Sequence, residues 1–161
     1  VFGPMGAWNN GREKAPAALC RKVAESGGTV DIWGPGTQTR SFLYIDECIE
    51  GIHRIQQSDY KYPLNLGSER MIAINDLVLL IAKLAGKQIT INNVPGPVGV
   101  MGRNSHNKLI KEVIGWAPED NLEQGLTNTY NWIKEQLEKD ETLYGIKYVD
   151  SNLKYRLYVY S

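Results

Sequence analysis

Apolar residues near the end of the chain recur at spacings of four, four, three and four: Leu122, Leu126, Tyr130, Ile133 and Leu137. That rhythm places one face of a helix on a core and predicts a long helix there. The same reading predicts a helix from Pro16, with Leu19, Cys20 and Val23 on one face and Gly27-Gly28 as its stop. Thr29 to Trp33 alternates polar and apolar like a strand, Gly34-Pro35-Gly36 turns the chain, and Thr39 to Tyr44 reads as a second strand. A helix then opens near Asp46 and buries Ile45, Cys48, Ile49 and Ile52. Residues 63–67 read as a short strand. Asn75 or Asp76 caps a helix that turns Leu77, Leu80, Ile81 and Leu84 inward and stops at Gly86. A strand over 88–94 and a short helix over 108–114, closed by Gly115, complete the pattern. Helices and short strands alternate, so the fold class is α/β, with a small, irregular mixed sheet.

Composition narrows the function classes. The 161 residues carry 18 Lys plus Arg against 18 Asp plus Glu, a net charge of zero, which argues against a nucleic-acid or membrane-surface role driven by bulk charge. No apolar stretch approaches the ~20 residues a membrane span needs. Two cysteines, Cys20 and Cys48, are too few for a secreted disulfide scaffold. His53 and His106 lack Cys or His neighbours at ligand spacing, so no metal site is read. The first residue is Val, and we read it as following an N-terminal part of a longer protein.

Three segments carry candidate chemistry. In "TQTRSF", Gln38 and Arg40 alternate on one face of a short strand, an amide beside a guanidinium that can clamp an anion. A wet edge strand accounts for the same residues. In "GVMGRNSHN", Arg103 stands in a glycine-flanked loop before a helix start, a plausible phosphate position that a plain surface Arg also satisfies. In "GREKAP", Lys14 precedes a helix start, where amides and macrodipole disfavour an ammonium and suit it to proton transfer. Lys22 lies about two turns further on and can face the same side. The plain alternative for both lysines is a solvated helix face. "GPGTQT" has two glycines but lacks the third glycine and the helix of a dinucleotide loop, so it reads as a turn. A Tyr-Lys catalytic pair is read as absent.

Together, "VFGPMG", "WGPGTQTRSFLYIDECIEGI", "YPLNLGSE" and "GWAPEDNLEQGLTNTYNWI" resemble the C-terminal part of extended short-chain dehydrogenase/reductases that act on nucleotide sugars, the NAD-dependent epimerase/dehydratase family. "GREKAPAA" with "GRNS" is similar to the branch that inverts C3 and C5 of a GDP-linked sugar. The resemblance implies a nucleotide-sugar domain over 1–140, a divergent Tyr-rich tail over 141–161, and a Rossmann half that is missing. It implies GDP-mannose as substrate and GDP-L-galactose as product, through C4 oxidation, epimerisation and re-reduction. NAD would be bound mainly by the missing half, and the whole enzyme would be a cytoplasmic homodimer. Within this chain it implies Lys14 as a proton carrier and Glu13, Lys14, Ala15, Lys22, Gln38, Thr39, Arg40 and Arg103 as substrate-binding residues. The isolated chain is expected to be inactive. The alternatives are another nucleotide-sugar epimerase or dehydratase of the superfamily, or a non-catalytic binding module.

Overall fold

The computed structural model describes residues 1–144, with side chains over 1–139. Its elements run α1 (Ala15–Glu25), β1 (Thr29–Trp33), β2 (Thr39–Arg40), α2 (Ile45–Gln57), β3 (Ile72–Ala73), α3 (Ile74–Leu84), β4 (Thr90–Val94), β5 (Gly102–Arg103), α4 (Lys108–Ile114) and α5 (Leu122–Tyr144). The alternation is the expected α/β one. Of the Tyr-rich tail, everything beyond Tyr144 lies outside the described residues.

The core is built where the apolar periods converge. Leu19, Cys20 and Val23 of α1, Leu77, Val78 and Ile81 of α3, and Leu122, Leu126, Tyr130 and Ile133 of α5 form one buried cluster with Val30 and Ile32 of β1. α1 packs against both α3 and α5, and each fully buried aliphatic side chain contributes roughly 1.5–3 kcal/mol. Lys87 locks the end of α1 by donating from Nζ to the carbonyls of Val23 (2.8 Å) and Ala24 (2.6 Å), an ammonium set against a helix C-terminus.

Two small sheets flank this core. β1 and β4 pair in parallel from Thr29↔Thr90 to Trp33↔Val94. The second sheet has the order β3-β2-β5, with β2 antiparallel to β3 and parallel to β5. Their connection, the β1–β2 turn, needs glycine at Gly36, whose φ is +70° and whose absent Cβ would collide with Asn75.

Five local expectations are corrected. The strand expected over 39–44 keeps ladder pairing only at Thr39 and Arg40, because β3 and β5 are themselves two residues long; Tyr44 retains a single bridge to Phe2. Residues 63–67 form no strand among the described residues. The cap of α3 is Ala73 rather than Asn75 or Asp76, since the Asn75 side chain donates to the Pro35 carbonyl instead (3.1 Å). Leu84 of that helix is partly exposed. In α2, Ile49 and Ile52 are 58% and 56% exposed. The face that packs there holds Gly51, tight against Leu66 and Trp116, and Glu47.

Glu47 explains why a polar residue displaced the apolar stripe. It is 7% exposed, and its carboxylate accepts the backbone N–H groups of Glu119 (2.6 Å), Asp120 (3.1 Å) and Asn121 (3.4 Å), the segment that launches α5. A buried carboxylate with three amide donors is a satisfied one, and it ties α2 to α5.

Candidate functional site

The start of α1 carries Glu13, Lys14 and Ala15. Lys14 is the N-cap residue, with extended backbone (φ −76°, ψ 157°), and Pro16 stands in the first helical turn. Its carbonyl accepts the Ala18 N–H (3.0 Å) while its side chain is exposed and meets no carboxylate among the described residues. Ala15 is half-buried beside it.

Glu13 does not pair with Lys14. Its carboxylate, 11% exposed, takes Nη2 of Arg21 (3.3 Å), and its second oxygen is buried without a partner. Backbone N–H groups at Glu13 and Gly11, together with Arg21, hold this carboxyl below the usual range despite its burial. Sequence reasoning missed Arg21. Only its i,i+4 spacing to Glu25 was visible; the pairing with Glu13, eight residues back, needed the loop to fold over the helix.

Lys22 donates from Nζ to the Asp31 carbonyl of β1 (2.7 Å), so it stands beside the β1 strand. No hydrogen bond or ion pair joins it to Lys14 among the described residues.

The second group of candidates lies on β2 and β5. Gln38 is 7% exposed, which excludes the wet-edge alternative for that residue; its carbonyl accepts the Ile74 N–H (3.2 Å), and its Oε1 is buried with no partner. Thr39 donates its N–H to the Met101 carbonyl (2.8 Å), and Arg40 donates from Nη1 to the Thr39 carbonyl (2.7 Å). The ladder sets Arg40 directly beside Arg103. Register partners on parallel strands project from the same face, and neighbouring strands lie about 4.8 Å apart. Two guanidinium-bearing residues are therefore side by side, and neither meets a carboxylate among the described residues. Gly102 makes this possible, because a Cβ there would press on Thr39 Oγ1 at 3.1 Å.

The helix-start reading of Arg103 is corrected. Arg103 belongs to β5, and the start of α4 is already served: the Asn107 N–H donates to Glu69 Oε1 (2.7 Å) and Asn107 Nδ2 to the Gly67 carbonyl (2.6 Å). Strand pairing, not a helix terminus, assembles the cationic pair.

A Tyr-x-x-x-Lys spacing does occur, at Tyr130 and Lys134. It is no proton-relay pair. Tyr130 is buried in the α1–α5 contact, where burial raises its pKa, and Lys134 faces Glu138 (3.9 Å) on an exposed helix face. Burial likewise pushes the Cys20 thiol up to about 12, leaving it no thiolate character near neutrality.

A surface cavity of about 430 Å³ lies elsewhere, lined by Glu69, Arg70, Lys111 and Glu119 among others, and contains none of the expected site residues. Its Arg70 is held by Asp120 (3.1 Å) and Glu123 (2.8 Å).

Both the fold and the sequence have known relatives. The fold matches UDP-glucose 4-epimerase of Thermotoga maritima, solved with UDP-glucose, at a TM-score of 0.76 and 24% identity over 85% of this chain and 44% of that one. UDP-glucuronic acid 4-epimerase of Bacillus cereus, solved with UDP-glucuronic acid and NAD, matches at a TM-score of 0.72 and 26% identity, covering 84% and 43%. Residues 1–67 match the NAD dependent epimerase/dehydratase family. The resemblance read from the motifs also holds at the finer level. The chain is 50% identical over 151 residues to GDP-mannose 3,5-epimerase of Arabidopsis thaliana, and 51% identical over 142 residues to GDP-mannose 3,5-epimerase 1 of Oryza sativa subsp. indica. These alignments take in 90% and 88% of this chain. It spans 40% and 38% of the length of those curated relatives.

Proposed function

We propose that this chain is the nucleotide-sugar-binding part of an NAD-dependent epimerase that converts GDP-mannose to GDP-L-galactose by C4 oxidation, inversion at C3 and C5, and re-reduction. The observation that carries the reading is the in-register pair Arg40↔Arg103, two like charges side by side with no acidic partner among the described residues. Such a pair is unfavourable until a dianion lies between its members, and a nucleotide-sugar diphosphate supplies that charge with acceptors for bidentate contacts. Gln38 and Thr39 flank it as hydrogen-bonding groups, and Lys22 adds a third cation. The unpaired ammonium of Lys14 serves the carbon acids that a C4 ketone creates at C3 and C5. Glu13 and Ala15 shape the segment that presents it.

NAD supplies the hydride chemistry at C4, and this chain's own residues do not fit it. The glycine turn Gly34-Pro35-Gly36 is closed by Val98 against Gly34 and Asn75 against Gly36, and a strand rather than a helix follows. Its binding is assigned to the rest of the enzyme, as is the homodimer; cytoplasmic location rests on the resemblance alone.

The test is kinetic. In the complete enzyme, Arg103→Ala removes a charge-assisted contact worth ~1.5–3 kcal/mol and raises the KM for GDP-mannose about tenfold or more. Unchanged substrate affinity in Arg103→Ala and in Arg40→Ala sinks the diphosphate assignment.

A further inference from the structure

Arg21 holds both ends of the segment leading to Lys14. Its Nε donates to the Trp8 carbonyl (3.1 Å), Nη2 to Glu13 Oε1 (3.3 Å) and Nη1 to Glu25 Oε2 (3.2 Å). Trp8 is in turn fixed edge-to-face on Trp132 of α5, with ring centroids 6.4 Å apart. The guanidinium therefore fastens the loop over 8–13 to α1, with α5 behind it. A planar fork of donors can hold three acceptors in fixed directions, which a lysine ammonium on a flexible stem cannot.

The consequence falls on the neighbouring charge. A carboxylate and an ammonium on adjacent residues attract each other, and a lysine captured in this way is a poor proton acceptor, since a nearby carboxylate favours its charged form over the neutral amine. In this structure the Glu13 carboxylate turns to Arg21 of α1 and is 11% exposed, and the Lys14 side chain is exposed. We propose that Arg21 is a positioning residue for Lys14: by taking the Glu13 carboxylate, it keeps that carboxylate from capturing the adjacent ammonium, which stays free for the substrate. This rests on the proton-carrier reading of Lys14 for its catalytic meaning, but the charge separation itself is a property of this chain.

Two measurements test it. In the complete enzyme in heavy water with saturating GDP-mannose, Arg21→Met lowers deuterium exchange at C3 and C5 tenfold or more, while KM changes less than threefold. Adding Glu13→Gln removes the carboxylate that Arg21 restrains, so Arg21→Met/Glu13→Gln returns to within threefold of Glu13→Gln alone. Glu25→Gln, which breaks only the other ion pair of Arg21, leaves exchange within twofold. A double variant no better than Arg21→Met, or a Glu25→Gln variant as impaired as Arg21→Met, overturns the proposal in favour of simple helix stability. In the 161-residue chain, the side-chain amine resonance of Lys14 shifts in Arg21→Met and returns in the double variant. If it does not move, the proposal fails even where Lys14→Met abolishes exchange. If it moves while Lys14→Met exchanges normally, Arg21 keeps its role and the proton-carrier reading falls. Should Arg21→Met not fold, Arg21→Lys carries the same resonance test, with a smaller shift expected.

Discussion

Two regions of the molecule use the same residue types to opposite ends. Around the start of α5, Arg70 has Asp120 and Glu123, and Glu47 has three backbone N–H groups. Around the start of α1 and along the β2–β5 ladder, Lys14, Arg40 and Arg103 have no acidic partner among the described residues, and Gln38 holds a buried oxygen without one. Charge that is satisfied inside the chain builds structure. Charge held in place yet left unsatisfied stores a demand that a ligand meets. The cavity beside Arg70 has that cation spent on the protein, so it offers a ligand less unspent charge than the β2–β5 ladder does.

The largest expected effect lies on the unsatisfied side. Lys14→Met in the complete enzyme should cut deuterium incorporation at C3 and C5 by ~10²–10⁴-fold, the usual loss for a general acid–base group, with substrate affinity changed much less. Normal exchange in that variant would reduce Lys14 to a binding residue and weaken the contrast between the regions.

On the satisfied side, Glu47→Ala should destabilise the chain by about 3 kcal/mol, because three backbone N–H groups lose one buried, charged acceptor at once. Urea unfolding of wild type and variant reads this directly, and a change below about 0.5 kcal/mol would show the clasp to be dispensable. Arg70→Ala sharpens the point from the same region. Arg70 is more than one-third exposed and its ion pairs are screened by water and salt, so its loss should cost no more than about 1 kcal/mol. A cost as large as that of Glu47→Ala would mean that burial is not what separates the two residues.

The smallest effects are in the pH dependence. Glu13 and Glu123 both have carboxyl pKa values below the usual range, the first mainly through backbone N–H groups and the second mainly through Arg70. A depressed folded value stabilises the fold above the unfolded pKa near 4.5, and that contribution is lost as pH falls through the folded value. Melting temperature should therefore drop on acidification below that point. Added salt should shrink the Glu123 share, which depends on an exposed ion pair, more than the Glu13 share. At the other end, the unfolded Cys20 thiol ionises near 9 and the folded one near 12, so stability should fall as pH rises between them. Cys20→Ala removing none of that alkaline loss would count against the assignment.

How far the sequence could be read varies by element. α1, α4 and α5 were legible for local reasons: the apolar periods of α1 and α5, the proline of α1 and the glycine stop of α4, where Gly115 indeed takes the left-handed conformation, with φ of +66°. α2 was misread because period alone cannot say what lies opposite a face: Gly51 and Glu47 pack, and Ile49 and Ile52 do not. The α3 cap failed for a similar reason, since the β1–β2 turn offered Asn75 a better acceptor than its own helix.

The amino-acid sequence by itself determined the α/β alternation, the core-facing residues of α1 and α5, and, through motif resemblance, the names of the site residues. Those depend on neighbours a few positions away, where propensity and period act. Only the tertiary structure decided that Arg40 and Arg103 stand side by side, that Gln38 is buried, and that Glu13 belongs to Arg21 rather than Lys14. Each of these is a question of which distant group claims a polar atom first. The chain settles it by competition among partners when it folds, and no local rule in the sequence records who wins.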